Sequence, residues 1–351
     1  MSVSVIAITR NGAQLGAKLS GGLADCRLHV LRKYHGTAGK KSIPFDELKE
    51  LLSSLWAEGD ALVCIMATGI VVRIIAPLLN SKQTDPPVVV IDDTGKFSIS
   101  LLSGHLGGAN ELAERAAWLL GARAVITTAT DANSLPSFDM LAKEHGWKIE
   151  NLGGVRLLNS MLLDGLPIAV VDSTDMVRPW FHGKGNLLFF DTFAEALESP
   201  ARGHLFVTNR HLPPQVSPKS LLVLRPPNLI LGIGCNSGTP VDEIETFVLS
   251  QLKRIFLSPL SVCTVATATA KREESGILEF ASLLGAETRF FSSEELNSVK
   301  PPSGVSEHAI AAIGAQGVAE PAAMLASGNS RLLLKKVRSE NVTLAIAEAK
   351  A

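Results

Sequence analysis

One histidine in this chain sits where chemistry is easily built. His105 lies inside Ser103-Gly104-His105-Leu106-Gly107-Gly108-Ala109-Asn110. That turn follows the strand-like run Phe97 to Leu102 and precedes Glu111 to Leu120, whose Leu and Ala spacing reads as a helix. Imidazole changes charge near neutral pH, which makes it the commonest general acid or base. Glycine allows positive φ and close backbone approach, so Gly104, Gly107 and Gly108 can gather N–H groups around an oxyanion, with Ser103 and Asn110 beside them. The plain alternative is a tight turn that only lets the helix start close to its neighbours, with His105 at the surface.

The elements that must position this turn alternate between strand-like and helix-like runs. Val3 to Thr9, Cys26 to Arg32, Ala61 to Ala67 and Val88 to Ile91 read as strands, the last two apolar throughout as in buried parallel sheets. Asn11 to Gly22 reads as a glycine-rich turn with a short helix, and Phe45 to Trp56 as a helix with Leu48, Leu51, Leu52 and Leu55 on one face. Arg73 is the single charge in an apolar helix, Ile70 to Leu79, that Pro77 bends or ends. Ligands of open α/β sheets bind outside the carboxyl ends of the strands. That rule gathers Thr68-Gly69, Asp92-Asp93, Ser103 to Asn110 and Thr128-Ala129-Thr130-Asp131 on one expected rim. An ordinary turn or helix cap is the competing account of Thr68-Gly69 and of Asp92.

A second glycine-rich stretch, Gly232-Ile233-Gly234-Cys235-Asn236-Ser237-Gly238-Thr239-Pro240, follows a buried strand and leads into a helix over Val241 to Lys253 that Thr239-Pro240 is expected to cap. Its spacing is not GxGxxG, and Asp242 and Glu243 in the first helical turn oppose an anion there. Cys235 stands where a helix dipole could acidify a thiol, although a nucleophile also needs a base within reach. Lys271, near the end of the strand Ser261 to Thr269, is either a ligand for an anion or a solvated charge. Between these regions lie an aromatic and basic loop, Arg178 to Gly185, and a proline-rich passage from Leu212 to Pro227, the best candidate boundary in the chain.

Composition bounds the answer. The chain has 351 residues, room for two or three domains of roughly 100 to 200 residues each. A net charge of −1 argues against broad nucleic-acid or membrane-surface binding, and an aromatic content of 5% argues against a base-stacking platform. No apolar run reaches the roughly 18 residues of a membrane span. Cys26, Cys64, Cys235 and Cys263 are widely spaced without a CxxC pair, which reads as reduced thiols in a cytoplasmic protein and offers no metal site. The expected class is α/β with at least two domains built on mostly parallel sheets: an N-terminal domain over 1–150, a middle region and linker over 151–226, and a C-terminal domain over 227–351.

Several stretches taken together resemble one family. Ala67-Thr68-Gly69-Ile70-Val71-Val72-Arg73, Pro87 to Gly95, Leu102 to Asn110 and Thr128 to Asp131 are similar to the N-terminal part of the cobalt-precorrin-5A hydrolases of anaerobic cobalamin (vitamin B12) biosynthesis. Gly232 to Cys235 with Gly238-Thr239, Ala268 to Glu274, Arg289-Phe290-Phe291 and Gly317-Val318-Ala319-Glu320-Pro321-Ala322-Ala323 look like that family's C-terminal domain. The resemblance spans nearly the whole chain and is vaguest between Asn151 and Arg225. It implies hydrolysis of a δ-lactone on a ring-contracted cobalt tetrapyrrole, release of acetaldehyde and formation of cobalt-precorrin 5B. Cobalt then belongs to the substrate, with no protein-bound metal or other cofactor. The implied partners are that anionic substrate and neighbouring enzymes of the pathway.

On this reading His105 is the acid or base, oriented by Asp131 or Asp92, with the N–H groups of Gly107 and Gly108 as oxyanion donors. Thr68, Gly69, Arg73, Ser103, Gly104, Asn110, Gly234, Cys235, Thr239 and Lys271 complete the expected substrate contacts, Arg73 and Lys271 meeting peripheral carboxylates. Two other classes stay open: a carrier that binds the tetrapyrrole intermediate unchanged, and an unrelated small-molecule enzyme on the same scaffold.

Overall fold

A computed structural model describes residues 2–39, 41–81, 84–105, 107–212 and 220–349, without the side chains of residues 131 and 132. Part of the proline-rich passage, from Pro213, therefore lies outside the described residues. The chain divides into two compact units, Met1–Met140 and Leu141–Ala351. Among the described residues no helix is long and apolar enough to cross a membrane.

The first unit is built on a seven-stranded sheet. Its strands are β1 (Val3–Ala7), β2 (Cys26–Leu31), β3 (Ile43–Phe45), β4 (Ala61–Ile65), β5 (Val88–Ile91), β6 (Phe97–Leu102) and β7 (Arg123–Val125), in the order β3-β2-β1-β4-β5-β6-β7. Alternation along the strands sends Val5, Val63 and Val89 to one face, against Ala13 and Leu19 of the helix Arg10–Gly22 and Leu112, Ala113 and Ala116 of the helix Ala109–Leu120. Ile6, Leu62, Cys64 and Val90 face the other way, against Leu52 and Leu55 of the helix Leu48–Glu58 and Val71 and Ile75 of the helix Thr68–Ile75. Each fully buried Leu or Val contributes about 1.5–3 kcal/mol of transfer free energy. The expected short helix after Thr9 is instead thirteen residues long, capped by the Thr9 hydroxyl on Gly12 N–H. Its glycines serve close packing: a Cβ on Gly16 would come within 2.6 Å of Leu28.

The strands β1 to β5 run parallel, but β6 is antiparallel to β5, and β7 follows β6. The carboxyl ends of β6 and β7 therefore lie at the opposite edge of the sheet from those of β1, β4 and β5. This reversal corrects the expectation of one shared rim.

The second unit holds two five-stranded sheets. One contains β8 (Lys148–Ile149), β9 (Ile168–Asp172), β10 (Leu187–Phe189), β11 (Gly203–Val207) and β12 (Leu221–Arg225), in the order β10-β9-β11-β12-β8, with only β8 antiparallel. The other contains β13 (Leu229–Cys235), β14 (Val262–Ala268), β15 (Glu287–Phe291), β16 (Leu332–Arg338) and β17 (Val342–Glu348), in the order β15-β14-β13-β17-β16. Here β13, β14 and β15 are parallel, while β17 is antiparallel to both β13 and β16. Gly232 in β13 lies against the helix Ala319–Ser327 so closely that a Cβ would fall 1.8 Å from the Ala319 carbonyl oxygen. Two separate motif stretches thus pack on one another.

Candidate functional site around His105

The turn after β6 is fixed by its backbone. Ser103 adopts φ +55°, and its hydroxyl donates to the Asp85 carbonyl at 2.8 Å. The carbonyls of Ser103 and Gly104 accept the N–H groups of Ala109 and Asn110, at 3.2 and 3.0 Å. Gly108, at φ +91°, caps the following helix, and its N–H donates to the His105 carbonyl at 3.1 Å. That bond closes the turn, so the expected role of the Gly108 N–H as an oxyanion donor is corrected. At Gly107 a Cβ would meet Ser103 at 2.5 Å, which explains the glycine by space alone.

This turn drives the imidazole inward. His105 is 6% exposed, and its Nδ1 lies 3.2 Å from Oδ2 of Asp139, itself 2% exposed. A buried carboxylate accepting the Nδ1 proton fixes the ring tautomer and leaves Nε2 as the basic nitrogen. The Thr130 hydroxyl stands 3.4 Å from Nε2. A cavity of about 430 Å³ opens on this group, with Gly104, His105, Asn110, Glu111, Glu114 and Ser134 among its lining residues. That volume lies within the usual range for a small-molecule site. Asn110 is held by the Ser100 hydroxyl at 2.6 Å, while its amide reaches Thr128 only at 3.4 Å.

Sequence reasoning missed Asp139. It stands in the first turn of the helix Phe138–Glu144, within a turn of the fully buried Phe138, Leu141 and Ala142. A carboxylate among such neighbours needs a compensating partner, and that is the signal that could have found it. Asp131 follows Thr130, but its side chain lies outside the described residues.

The remaining expected residues are elsewhere. Thr68, Gly69, Arg73 and Asp92 belong to the opposite edge of the first sheet, which corrects Asp92 as the partner of His105. Asp92 instead closes the turn between β5 and β6, accepting from Thr94 N–H at 3.0 Å and Phe97 N–H at 2.6 Å. Burial raises its pKa, but the bonds from the Thr94 side chain and the backbone N–H groups of Phe97, Thr94 and Lys96 outweigh it and hold the carboxyl below its ordinary value. Arg73 is exposed and donates to the Gly69 carbonyl at 3.0 Å.

In the second unit the expected contacts are bound up in local structure. Gly234 lies within β13, its carbonyl accepting from Thr343 at 3.1 Å. Thr239 donates to the Asn236 carbonyl at 2.8 Å rather than capping the helix Val241–Arg254, whose cap is Pro240. Lys271 is paired with Glu274 at 2.9 Å. Burial pushes the Cys235 thiol up, and nearby Lys271 offsets this only in part, so an activated thiolate is not what this position provides.

Three regions of the chain match, in order, family models described as Cobalamin synthesis G N-terminal (residues 50–131), Cobalamin biosynthesis central region (136–226) and Cobalamin synthesis G C-terminus (229–347). These matches define a protein of cobalamin synthesis. A cobalt-precorrin-5A hydrolase of Priestia megaterium is 36% identical over 98% of this chain and 94% of its own. The enzyme of that name from Salmonella typhimurium is 31% identical over 99% and 98%. The chain belongs to the cobalamin synthesis G (CbiG) family. Among solved structures, a cobalamin biosynthesis protein G homolog from Sulfolobus solfataricus covers 99% of this chain and 97% of its own, at 22% identity and a TM-score of 0.35.

Proposed function

We propose that this chain is a cobalt-precorrin-5A hydrolase, opening the δ-lactone of its cobalt-bearing substrate and releasing acetaldehyde to give cobalt-precorrin 5B in cobalamin biosynthesis. The observation that carries the chemistry is a cavity-lining imidazole with a buried carboxylate behind it. With Asp139 on Nδ1, the Nε2 lone pair of His105 takes a proton from water as it attacks the lactone carbonyl. The imidazolium returns that proton to the departing alkoxide, which becomes a hydroxyethyl group. In the second step the same nitrogen takes the hydroxyl proton while the bond to the ring breaks. The bond's electron pair stays in the conjugated macrocycle and acetaldehyde leaves.

Asn110, whose side-chain amide lines the cavity, is the donor suited to the oxyanion in place of the Gly108 N–H. Glu111 and Glu114 on the cavity wall turn the substrate's carboxylate arms away, which selects the lactone edge for entry. Cobalt arrives with the substrate, and these steps draw on no further cofactor. The reaction is assigned to the cytoplasm, in keeping with four cysteines free of disulfides.

A carrier would leave the pigment chemically unchanged. Incubation with cobalt-precorrin 5A, with mass spectrometry of the pigment and trapping of acetaldehyde, separates the two readings. The enzyme converts the pigment and His105→Ala does not. Wild-type rates in His105→Ala overturn the mechanism, and unchanged pigment with the wild-type protein overturns the activity.

A further inference from the structure

The sheet of β8 to β12 has a cavity of its own. β9 pairs with β10 on one side and β11 on the other, so the order of the chain reverses between β9 and β11. In parallel sheets such a switch point opens a crevice at the carboxyl ends of the strands. A cavity of about 420 Å³ occupies that place, lined by residues that follow or end β9, β10 and β11. Phe190 and Phe193 give it aromatic walls, and Ser173 and Thr208 line it with Asp191 and Arg210.

The segment carrying Arg210 is pinned from below. Arg225, 1% exposed and paired with Glu150, donates from Nη1 to the carbonyls of Thr208 at 2.9 Å and Arg210 at 2.6 Å. Asn209 is buried and donates to Asn228 at 3.0 Å and Glu348 at 2.7 Å, while its carbonyl accepts from Ser258 N–H at 2.8 Å. The Arg210 side chain is exposed and spends one donor, at 3.3 Å, on the Ile255 carbonyl. A guanidinium has five donors, so most of its capacity faces outward from a rigid support.

Two carboxylates share the cavity lining with Arg210. Asp172 is consumed by its own turn, accepting from Thr174 N–H, the Thr174 hydroxyl and Val177 N–H at 2.8, 2.6 and 2.8 Å. Asp191 is exposed, with no hydrogen-bond partner shown among the described residues. A guanidinium carried on a pinned backbone, a carboxylate and aromatic walls together select a flat apolar body that carries both a carboxylate and an N–H donor.

We infer that this cavity is a binding site for a heteroaromatic carboxylate, with Arg210 on the carboxylate, Asp191 on the ring N–H and the two phenylalanines against its faces. The inference stands apart from the lactone chemistry at His105. Indole-3-acetate is a suitable probe, titrated into the full chain by calorimetry while the methyl resonances of Val171 and Val207, which also line the cavity, are followed by NMR. The expected result is saturable binding with shifts at both methyl groups, weakened about tenfold or more by Arg210→Ala and less by Arg210→Lys, as loss of a charge-assisted pair requires. Absence of binding, equal affinity in wild type and Arg210→Ala, or static Val171 and Val207 resonances at saturation would each overturn the inference.

Discussion

Replacing Asp139 by Asn tests the site with the least disturbance to its shape. The two side chains are isosteric, but an amide donates where the carboxylate accepted. With an N–H pointing at Nδ1 across the 3.2 Å contact, His105 is driven to the tautomer with its proton on Nε2, the nitrogen the mechanism uses as base. General-base catalysis of this kind is worth about 10²- to 10⁴-fold. That range corresponds to about 3 to 5 kcal/mol of activation free energy. The loss should fall on kcat, with KM little changed, because Asp139 lies behind the imidazole. Stopped assays of trapped acetaldehyde over a range of cobalt-precorrin 5A concentrations measure both constants, and thermal melts confirm the fold. Asp139→Glu, which keeps an acceptor, should recover part of the rate. Wild-type kcat in a folded Asp139→Asn protein would refute the tautomer argument.

Gly232→Ala should destabilise the second unit by about 3 kcal/mol or more, because both partners in its 1.8 Å clash are backbone-anchored and cannot move aside; denaturant melts measure it. Cys235→Ser should leave the rate of acetaldehyde release unchanged, since burial holds that thiol protonated; a hundredfold loss would restore it as a nucleophile. Burial lowers the pKa of His29, His204 and His211 in the folded chain, so the unfolded chain binds more protons as pH falls below about 6.5. Stability should therefore be full above that pH and decline below it. His204→Phe should reduce the slope in melts taken across this range, and an unaltered slope would remove His204 from the account.

Much of the framework was legible because it is written locally. The apolar runs Ala61–Ile65 and Val88–Ile91 form strands where their composition places them, and the glycine turn around His105 follows its strand and opens its helix as read. The reversal at β6 was missed by the shared-rim reading, although loop length could have shown it. Five residues separate Ile91 from Phe97, whereas a parallel crossover needs about a dozen. Asp92 is the side chain that tightens that turn, so a carboxylate read as chemistry is a hairpin device. The pairing of His105 with Asp139 bridges 34 positions, and no local pattern records such a contact. Glycines misled in the other direction: Gly12 and Gly16 suggested a turn, yet they let a full helix settle against β1, β2 and β4.

The antiparallel strand in the first sheet has a consequence for how this domain can change. Loops that would crowd one margin of an all-parallel sheet are shared between two margins, so alterations near Thr68 and Arg73 need not disturb the tautomer of His105. An engineer could graft a new recognition loop on the former while leaving lactone opening intact.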